Sequence, residues 1–545
     1  MADSSGRIFY GGNLIHSIDC GCSSLGALVS KRLLENGDSV AFIDAITGAT
    51  VTFLQLLEHA KRVCGRLEAL GIKKGSIVAI VSENRLDFSI AAFASFFRNA
   101  TVVPLNPNYT ETEFNHVLNI IRPSLIFASN KPLSTLGKVN SQHPYIKWFV
   151  SLDDQTLSGK DFKLSDWIQE SRQVTLKLDP VILKNDVAVM VLSSGTTGHP
   201  KAVQLTHHNV MTVLAYMRED PRYTDLPEPV RVLGLLPFFH VYGFMLMMNA
   251  SCNRYPMVVL PRFEATLFLQ SIQEHKVSMA NLVPPLLVFL AKNPAVERYD
   301  LSSLKTILSG AAPISVDIEN QVLKRLPHVE SIRAGYGLSE ASLGVISKSN
   351  FKPGSVGRVH KTCWVKVVDV ESGSTLGAHQ TGEICIKGPL VMKGYYRNPE
   401  ATRQTIDSEG WLHTGDTGYF DQDGDFFIVD RIKDLIKYKG FQVAPAELED
   451  ILLSHPGIKD AAVIGLPDEA CGELPAAFVV LQPDHSSSLS EQEIRVYVAE
   501  KLSPQKQLRG GVYFTAEIPK TASGKILRRQ LRDQLTRERR QKAKL

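Results

Sequence analysis

The chain has 545 residues, well beyond the length of about 250–300 residues at which a single hydrophobic core stops growing. Hydrophobic residues make up 44% and charged residues 21%, which excludes a disordered or collagen-like chain. The net charge is +4, but residues 525–545 alone carry nine basic and two acidic side chains. The rest is slightly acidic, so a surface-wide basic field for nucleic acid is not expected.

The seven cysteines are scattered and form no CxxC pair, so neither a disulfide framework nor a zinc ribbon is predicted. The N-terminus lacks the apolar core of a secretory signal, and no run approaches the roughly 18 apolar residues of a membrane span. We expect a soluble intracellular protein. The final tripeptide Ala543-Lys544-Leu545 differs by one residue from the peroxisomal address Ser-Lys-Leu, so a peroxisomal import receptor is an expected partner and the peroxisome the expected location.

Apolar periodicity alternates between strand-like and helix-like patterns along the whole chain. In chain order, the patterns predict a helix over 53–70, strands over 77–81, 187–192 and 426–429, a helix over 445–453, strands over 461–465 and 476–481, and a helix over 490–502. The fold class is therefore α/β, with a large N-terminal domain of stacked, largely parallel α/β subdomains. A small, mobile C-terminal α+β lid domain follows it.

A change of composition near residue 430 marks the expected domain boundary. The Gly- and Asp-rich segment 421–425 precedes it, and the charged segment DRIKD follows from Asp430. We assign residues 1–430 to a large N-terminal domain. Residues 431–545 form the C-terminal lid domain with its basic tail.

Residues 193–201 read SSGTTGHPK and directly follow a predicted buried strand. Small residues let the backbone approach an anion, hydroxyl and N–H groups donate hydrogen bonds, and Lys201 adds a positive charge, so the segment suits a polyphosphate. It lacks the G-x-x-x-x-G-K-[ST] pattern of a Walker A loop. An isolated cluster of this composition is often only a polar turn.

Further blocks strengthen the phosphate interpretation. They read SGAAP from Ser309, GYGLSE from Gly335, GEICIKG from Gly382, WLHTGD from Trp411, VDRIKDLIKYKG from Val429 and PKTASGK from Pro519. Together with the loop at 193–201, these blocks resemble in order those of the adenylate-forming superfamily, in its branch of acyl-CoA synthetases, 4-coumarate–CoA ligases and beetle luciferases. The resemblance implies Mg²⁺ as a cofactor and ATP, CoA and a small-molecule carboxylic acid as substrates.

The resemblance assigns ATP and AMP contacts to residues of the phosphate loop, the two glycine-rich loops, the ribose-binding aspartate and the hinge. These are Ser193, Ser194, Gly195, Thr196, Thr197, Gly198, Lys201, Gly310, Ala311, Ala312, Gly335, Tyr336, Gly337, Ser339, Asp416, Arg431 and Lys433. Glu340 is the implied metal ligand, because Mg²⁺ binds oxygen and neutralises phosphate charge.

The implied catalytic residues are Lys525, His240 and Lys437. The substrate carboxylate would attack the α-phosphorus of ATP, form an acyl-adenylate and release pyrophosphate, with Lys525 stabilising the charge. Rotation of the lid about the hinge would then withdraw Lys525 and bring Lys437 to the site for attack by CoA. Arg262, Lys439 and Gly440 are the implied CoA contacts.

Tyr242, Phe244, Met247 and Leu343 are expected to line an apolar acyl pocket. The expected activity is that of an acyl-CoA synthetase acting on a medium- or long-chain fatty acid or an aromatic acid. A hydroxycinnamate ligase and a luciferase-like monooxygenase acting on a luciferin adenylate are the alternatives. Val241 and Tyr242 replace the Gly-Phe of beetle luciferases, which disfavours light emission.

Other classes fit less well. A peptide-synthetase adenylation domain usually carries an Asp for the amino-acid amine, whereas the segment around His240 is apolar. A non-enzymatic binding paralogue would be expected to have lost Lys525, Asp416 or Glu340, and all three are present. A nucleic-acid binder would rely on the basic tail, which overlaps the implied catalytic lysine.

Overall fold

The structure is a computed structural model of the 545-residue chain. It describes residues 6–15, 18, 21–153, 161–170, 174–193, 200–220, 230–312, 314, 316–347, 352–439, 441–468, 471–482, 489–521 and 524–542. The helices described are Leu25–Asn36, Phe53–Ala69, Leu86–Phe97, Glu111–Ile121, Asn130–Val139, Leu164–Gln169, His207–Arg218, Val241–Asn253, Ala265–Glu274, Pro284–Lys292, Val316–Arg325, Pro399–Thr405, Pro445–Ser454, Glu491–Lys501 and Arg528–Lys542. Within these ranges no helix has the length and apolar character needed to span a bilayer.

An eight-stranded sheet forms the first layer of the large N-terminal part. Its strands lie in the spatial order Gly394–Tyr395, Lys201–Thr206, Val187–Ser193, Thr101–Leu105, Ile77–Val81, Leu125–Ala128, Trp148–Ser151 and Phe162–Lys163. Neighbours from Val187–Ser193 onward are parallel, and the first two strands join antiparallel. Helices cross between the parallel strands, as the alternating sequence pattern predicts.

A nine-stranded sheet forms the second layer. Its spatial order is Arg358–Val359, Leu343–Ser347, Ser331–Leu338, Thr306–Ser309, Met279–Leu282, Val232–Gly234, Met257–Val259, Val40–Asp44 and Thr50–Thr52. The strands from Ser331–Leu338 to Val40–Asp44 run parallel. Their carboxyl ends therefore meet at one edge, the usual position of a ligand site in an open α/β sheet.

Helix Leu86–Phe97 lies between the two large sheets. It contacts strands Ile77–Val81 and Thr101–Leu105 of one sheet and Val40–Asp44 of the other. Every residue from Phe88 to Phe97 is buried, because an apolar surface all around the helix faces protein on both sides. The two sheets consequently share one hydrophobic core.

A third sheet is antiparallel throughout and was not anticipated by the prediction of largely parallel sheets. Its order is Ile8–Tyr10, Trp364–Val368, Gly382–Lys387, Leu412–Phe420 and Phe426–Arg431. Parallel neighbours need a long crossover connection, usually a helix. Between residues 364 and 431, all of which are described, the one α-helix is Pro399–Thr405, so the strands return on themselves in antiparallel order. Elsewhere the predicted α/β class is confirmed.

The C-terminal part has its own sheet and its own apolar cores. The sheet runs Phe441–Val443, Ile436–Tyr438, Gly472–Leu481 and Ile458–Asp468, with Gly511–Phe514 also pairing with Gly472–Leu481. Helices Pro445–Ser454 and Glu491–Lys501 supply one core, and helix Arg528–Lys542 covers the other sheet face. The predicted elements of this part are all present, with strands longer than expected.

One buried ion pair fastens the last helix to this sheet. Arg528 donates to both carboxylate oxygens of Glu449 at 2.8 Å and to the Val463 carbonyl oxygen at 3.2 Å. Glu449 also accepts from the Val463 amide at 2.8 Å. Because both side chains are mostly buried, removal of one partner leaves a charge without compensation.

We therefore expect Arg528→Met to destabilise the C-terminal part by about 3–5 kcal/mol, the usual cost of breaking a buried pair from one side. Hydrogen exchange of strand Ile458–Asp468 in denaturant measures the effect. The double variant Arg528→Met with Glu449→Leu should recover most of the loss. Arg529→Met, at the exposed neighbouring position, is the control; an equal loss in that variant would contradict the assignment.

Candidate active site

The nucleotide end of the site is built at the carboxyl edge of the nine-stranded sheet. Strands Thr306–Ser309 and Ser331–Leu338 are parallel neighbours, with Ser309 opposite Ala334. The loop of Gly310, Ala311 and Ala312 therefore lies beside the Gly335–Tyr336–Gly337 segment, and both line the same cavity. A Cβ atom at Gly310 would lie 3.3 Å from the Tyr242 ring, so this loop approaches the aromatic side chain closely.

Asp416 receives hydrogen bonds from two other parts of the fold. The Tyr336 hydroxyl donates to its Oδ2 at 2.8 Å, and Arg431 Nε lies 3.1 Å from its Oδ1. Burial raises the pKa of Asp416, while Arg431 and the Tyr336 hydroxyl act against that rise. Each carboxylate oxygen can accept a further hydrogen bond, so Asp416 keeps acceptor capacity for a pair of hydroxyl groups.

Lys525 enters the same cavity from the C-terminal part. The cavity has a volume of about 1290 Å³ and is lined by Tyr336, Asp416 and Arg431 on one side and by Lys525 on the other. Burial, with repulsion from Arg431, lowers the pKa of Lys525 to about 8. Asp434 and Asp416 oppose that shift. The Lys525 ammonium therefore places a positive charge where an anion would bind, and it can lose its proton near pH 8.

Lys292 holds the C-terminal part against this cavity. Its Nζ donates to the Leu453 carbonyl oxygen at 2.8 Å and to the Ile458 carbonyl oxygen at 3.2 Å. Helix Pro284–Lys292 belongs to the large N-terminal part. The two carbonyls belong to the C-terminal part, where Leu453 lies in the last turn of helix Pro445–Ser454 and Ile458 follows that helix. Burial lowers the pKa of Lys292. The two carbonyls thus fix the orientation in which Lys525 reaches the cavity.

The segment between the two parts is organised by Asp430. Its Oδ1 accepts from the Arg431 amide at 2.7 Å, and its Oδ2 accepts from the Ala446 amide at 3.0 Å. Lys433, Lys437 and Lys439 are exposed and absent from the cavity lining. The structure therefore brings Lys525 to the nucleotide end of the site and leaves the Lys437–Lys439 stretch outside it.

Lys201 and Glu340 meet at Tyr395, which the sequence analysis missed. Lys201 Nζ lies 4.9 Å from the centre of the Tyr395 ring, and the Tyr395 hydroxyl donates to Glu340 Oε1 at 2.9 Å. Burial raises the pKa of this hydroxyl, so it stays a donor. The signal available in the sequence was only the GYY run at 394–396. The pairing of Tyr395 with Val203 on neighbouring strands places Tyr395 close to Lys201 and Glu340.

Glu340 fits the magnesium implied by the resemblance, because Oε1 accepts from Tyr395 while its second oxygen remains able to bind a hard cation. Ser339 is buried at the start of the same short helical turn. Ser193 ends strand Val187–Ser193 of the eight-stranded sheet. The predicted phosphate contacts Ser194, Gly195, Thr196, Thr197 and Gly198 lie outside the described residues, as does Gly440.

His240 caps helix Val241–Asn253 and is held as a neutral imidazole. Its Nδ1 accepts from the Tyr242 amide at 3.4 Å, and burial lowers its pKa to about 4. Since Nδ1 is the acceptor, Nε2 carries the proton. His240 thus offers a neutral hydrogen-bond donor.

The four predicted acyl-pocket residues differ in burial: Tyr242 and Leu343 are half-buried, whereas Phe244 and Met247 are enclosed in the core. Tyr242 stands beside Gly310, and Leu343 pairs with Leu338 on the strand that carries Tyr336. Phe244 and Met247 are completely buried, and Phe244 packs edge-on against Phe96 of the central helix at a centroid distance of 6.4 Å. They support the helix below His240 and do not line the cavity.

Arg262 is exposed next to Phe263, a residue at the wall of the cavity. Arg262 itself is not among the residues that line the cavity. Of the predicted set, the cavity brings together Ala311, Ala312, Gly335, Tyr336, Gly337, Asp416, Arg431 and Lys525. Sequence reasoning missed Lys292 as well as Tyr395, because an isolated lysine at a helix end carries no motif.

Known proteins resemble the chain over nearly its whole length. Residues 29–396 match the AMP-binding enzyme family, and residues 447–525 match the AMP-binding enzyme C-terminal domain. Luciferin 4-monooxygenase of Photinus pyralis is 39% identical over 510 residues, which cover 92% of each chain. 4-Coumarate-CoA ligase 1 of Narcissus pseudonarcissus is 37% identical over 519 residues, which cover 93% of each chain.

Solved structures agree with these matches. The crystal structure of an anthranilate CoA ligase in complex with anthranoyl-AMP superposes with a TM-score of 0.84 and 25% identity, covering 94% of this chain and 96% of that one. The suspected resemblance to adenylate-forming enzymes is thereby confirmed. On the strength of the match over residues 29–396, the chain belongs to the AMP-binding enzyme family.

Proposed function

We propose that the chain is an AMP-forming acid–CoA ligase that activates an apolar carboxylic acid, fatty or aromatic, as its acyl-adenylate and transfers the acyl group to CoA. The observation that carries the proposal is the placement of Lys525 in one cavity with Tyr336, Asp416 and Arg431. Relatives named as a 4-coumarate-CoA ligase and an anthranilate CoA ligase support it.

In the first half-reaction the substrate carboxylate attacks the α-phosphorus of ATP. A P–O bond forms to the acid, the bond to the β-phosphate oxygen breaks, and pyrophosphate leaves. Tyr336 and Gly310 would flank the base, Asp416 would accept from the ribose hydroxyls, and Lys525 would stabilise the charge that develops at the phosphorus. No side chain has to act as a nucleophile, so positioning is the main contribution of the protein.

Glu340 would hold Mg²⁺, with Lys201 beside it for the phosphates. When bound, the ion neutralises phosphate charge. Tyr395 would fix the Glu340 carboxylate by donating to Oε1 while the second oxygen faces the ion. Ser193 and the loop at 194–198 are proposed as the remaining phosphate contacts.

His240 would orient the acid. Its protonated Nε2 can donate to the substrate carboxylate without adding a positive charge, since the imidazole is neutral near pH 7. A neutral donor positions the attacking oxygens and leaves their nucleophilicity largely intact. Tyr242 and Leu343 are proposed to contact the acyl group nearby.

In the second half-reaction the CoA thiol attacks the acyl carbonyl, a thioester forms, and AMP leaves with the thiol proton passing to solvent. We propose that the lid, residues 431–545, rotates about the segment from Asp430 to Lys433 before this step. Rotation would break the Lys292 contacts, withdraw Lys525 and bring Lys437, Lys439 and Gly440 inward. Arg262, which is exposed next to the cavity residue Phe263 in sequence, is proposed to receive CoA phosphates.

The peroxisome is the proposed location. It rests on the tripeptide Ala543-Lys544-Leu545, which lies outside the described residues and follows the basic helix Arg528–Lys542. A fluorescent fusion ending at Leu545 should co-localise with a peroxisomal marker, whereas the same fusion ending at Lys542 should not.

A luciferase-like monooxygenase is the second candidate, because a luciferin 4-monooxygenase is 39% identical to the chain. Purified protein with ATP, Mg²⁺ and CoA should release pyrophosphate and form a thioester with octanoate, palmitate or 4-coumarate. With luciferin and ATP we expect no light above the enzyme-free reading. Absence of acid-dependent pyrophosphate release from the whole panel would contradict the ligase, and light would favour the monooxygenase.

Lys525→Ala is expected to slow acyl-adenylate formation at least about a hundredfold, the scale of losing one preorganised electrostatic contact in a transition state. Thioester formation from a supplied acyl-adenylate should change less than about threefold on the same energy scale. Rapid-quench assays of the two steps measure this difference. Lys520→Ala is the matched control in the same block, since Lys520 instead pairs with Asp460. Equal loss in both steps would refute the two-orientation assignment.

The pH dependence of the first step should also report Lys525. Its pKa is lowered to about 8, so the ammonium that the step needs is present below pH 8 and disappears as the pH rises through that value. The kcat/KM for adenylation should therefore fall above about pH 8. In Lys525→Arg, whose guanidinium stays protonated, the decline should vanish even though the rate is lower. A decline retained in that variant would assign it to another group.

A further inference from the structure

A cluster of side chains beside the strand that carries Asp416 has no role in the proposed reaction. Strands Gly382–Lys387 and Leu412–Phe420 are antiparallel neighbours in the third sheet, and Cys385 lies directly opposite His413. Glu383 is two residues before Cys385, so its side chain shares that face of the strand. Ligand-type atoms of the three residues all lie within 4.8 Å of one another.

The geometry of this cluster matches a zinc centre. His413 Nδ1 lies 3.5 Å from Cys385 Sγ and 2.7 Å from Glu383 Oε2. Zinc bonds of about 2.3 Å to sulfur and about 2.0–2.1 Å to nitrogen, at a tetrahedral angle, place the two ligand atoms about 3.5 Å apart. The imidazole nitrogen and the carboxylate oxygen, now hydrogen-bonded at 2.7 Å, have to separate by about 0.6 Å to bind the same ion through bonds of about 2.0–2.1 Å.

The ligands are also oriented from outside the cluster. Asp407 Oδ2 lies 3.5 Å from His413 Nε2, the ring nitrogen that faces away from Cys385. Backbone amides of Glu409 and Trp411 hold Asp407 at 2.9 Å each. A carboxylate on the second nitrogen of a histidine is the usual support of a metal-binding imidazole. This arrangement is a separate observation from the proximity of the three ligand atoms.

The cluster is accessible from one side. Cys385 is completely buried, whereas the His413 side chain is 35% exposed and that of Asp407 is 33% exposed. An ion can therefore enter past the imidazole and keep a solvent-facing coordination position. Lys366, whose ammonium lies 4.4 Å from the centre of the Trp411 ring, offsets part of the local negative charge.

We propose that Glu383, Cys385 and His413 form a binding site for a divalent metal ion of the zinc type, with water as the fourth ligand and Asp407 orienting the histidine. A thiolate and an imidazole favour zinc or cobalt over magnesium, so this site is chemically distinct from the proposed Mg²⁺ position at Glu340. Binding replaces the thiol proton of Cys385, which passes to solvent, and requires the neutral His413 imidazole to shift its proton from Nδ1 to Nε2, the nitrogen near Asp407.

One hydrogen bond couples the site to Gly415, the residue that precedes Asp416 on the same strand. Glu383 Oε1 accepts from the Gly415 amide at 2.9 Å, while its Oε2 faces the proposed ion. A metal bound through Oε2 fixes the carboxylate and therefore the Gly415 amide. The proposed ion is thus a structural support for the nucleotide site and takes no part in the reaction.

Titration of the purified full-length chain with Co²⁺ alone tests the proposal. We expect one equivalent to give the near-ultraviolet absorption of a cobalt–thiolate bond and the visible bands of tetrahedral cobalt, both abolished when Zn²⁺ is added. Cys385→Ser should lose the thiolate absorption and bind more than about tenfold more weakly. Circular dichroism of each variant verifies that the chain is folded.

Two further variants separate a specific site from general thiol binding. Cys22→Ser removes a half-buried thiol outside the cluster and should leave the titration unchanged. Asp407→Asn should keep the thiolate absorption but weaken affinity about tenfold, because only the support of the imidazole is lost. Absence of the thiolate absorption in the unmodified chain, or its persistence in Cys385→Ser, would overturn the proposal.

Discussion

The carboxylate of Asp416 is the point at which the separate parts of this molecule meet. It stands on a strand of the antiparallel sheet, accepts from Tyr336 of the nine-stranded sheet and faces Arg431 of the connecting strand. The negative charge of Asp416 also acts to raise the pKa of Lys525 in the lid. A hairpin of the antiparallel sheet, a strand of the nine-stranded sheet and the C-terminal part, which are far apart in sequence, must therefore come together around this carboxylate. The nucleotide site can exist only in the assembled protein.

The lid is held by contacts of two different kinds. Within the lid, Arg528 and Glu449 form a buried pair that sets the position of the helix beginning three residues after Lys525. Between the lid and the large part, Lys292 donates to two carbonyls at the edge of the cavity. The first contact preserves the lid as a rigid body. The second involves only a few atoms, so it could be broken without unfolding of either part, as the proposed rotation of the lid requires.

Much of the architecture was predictable from local pattern. Uninterrupted apolar runs such as 77–81 and 187–192 became strands of a parallel sheet, because strands buried on both faces need no alternation. The antiparallel third sheet was missed, since its strands carry mixed polar residues and serve partly as site walls. Tyr336, Asp416 and Lys525 were predictable because each lies in a block of several residues that resembles a motif of the family.

The residues that sequence reasoning missed act through a partner remote in the chain. Tyr395 matters because it pairs with Val203 and thereby meets both Lys201 and Glu340. Phe244 and Met247 were assigned to the acyl pocket on composition, whereas the helix that carries them is buried and turns them into the core. Apolar character alone does not tell a pocket wall from a core, since both exclude water.

Lys292 makes its cross-domain hydrogen bonds to main-chain carbonyls and not to lid side chains. Carbonyl oxygens are present whatever residue occupies positions 453 and 458, so substitutions there leave both acceptors in place. The part of the attachment that runs through Lys292 is therefore tolerant of sequence change at positions 453 and 458, and it depends on the lysine side chain itself. Evolution or design can exchange the side chains at these two lid positions without removing the acceptors of this contact.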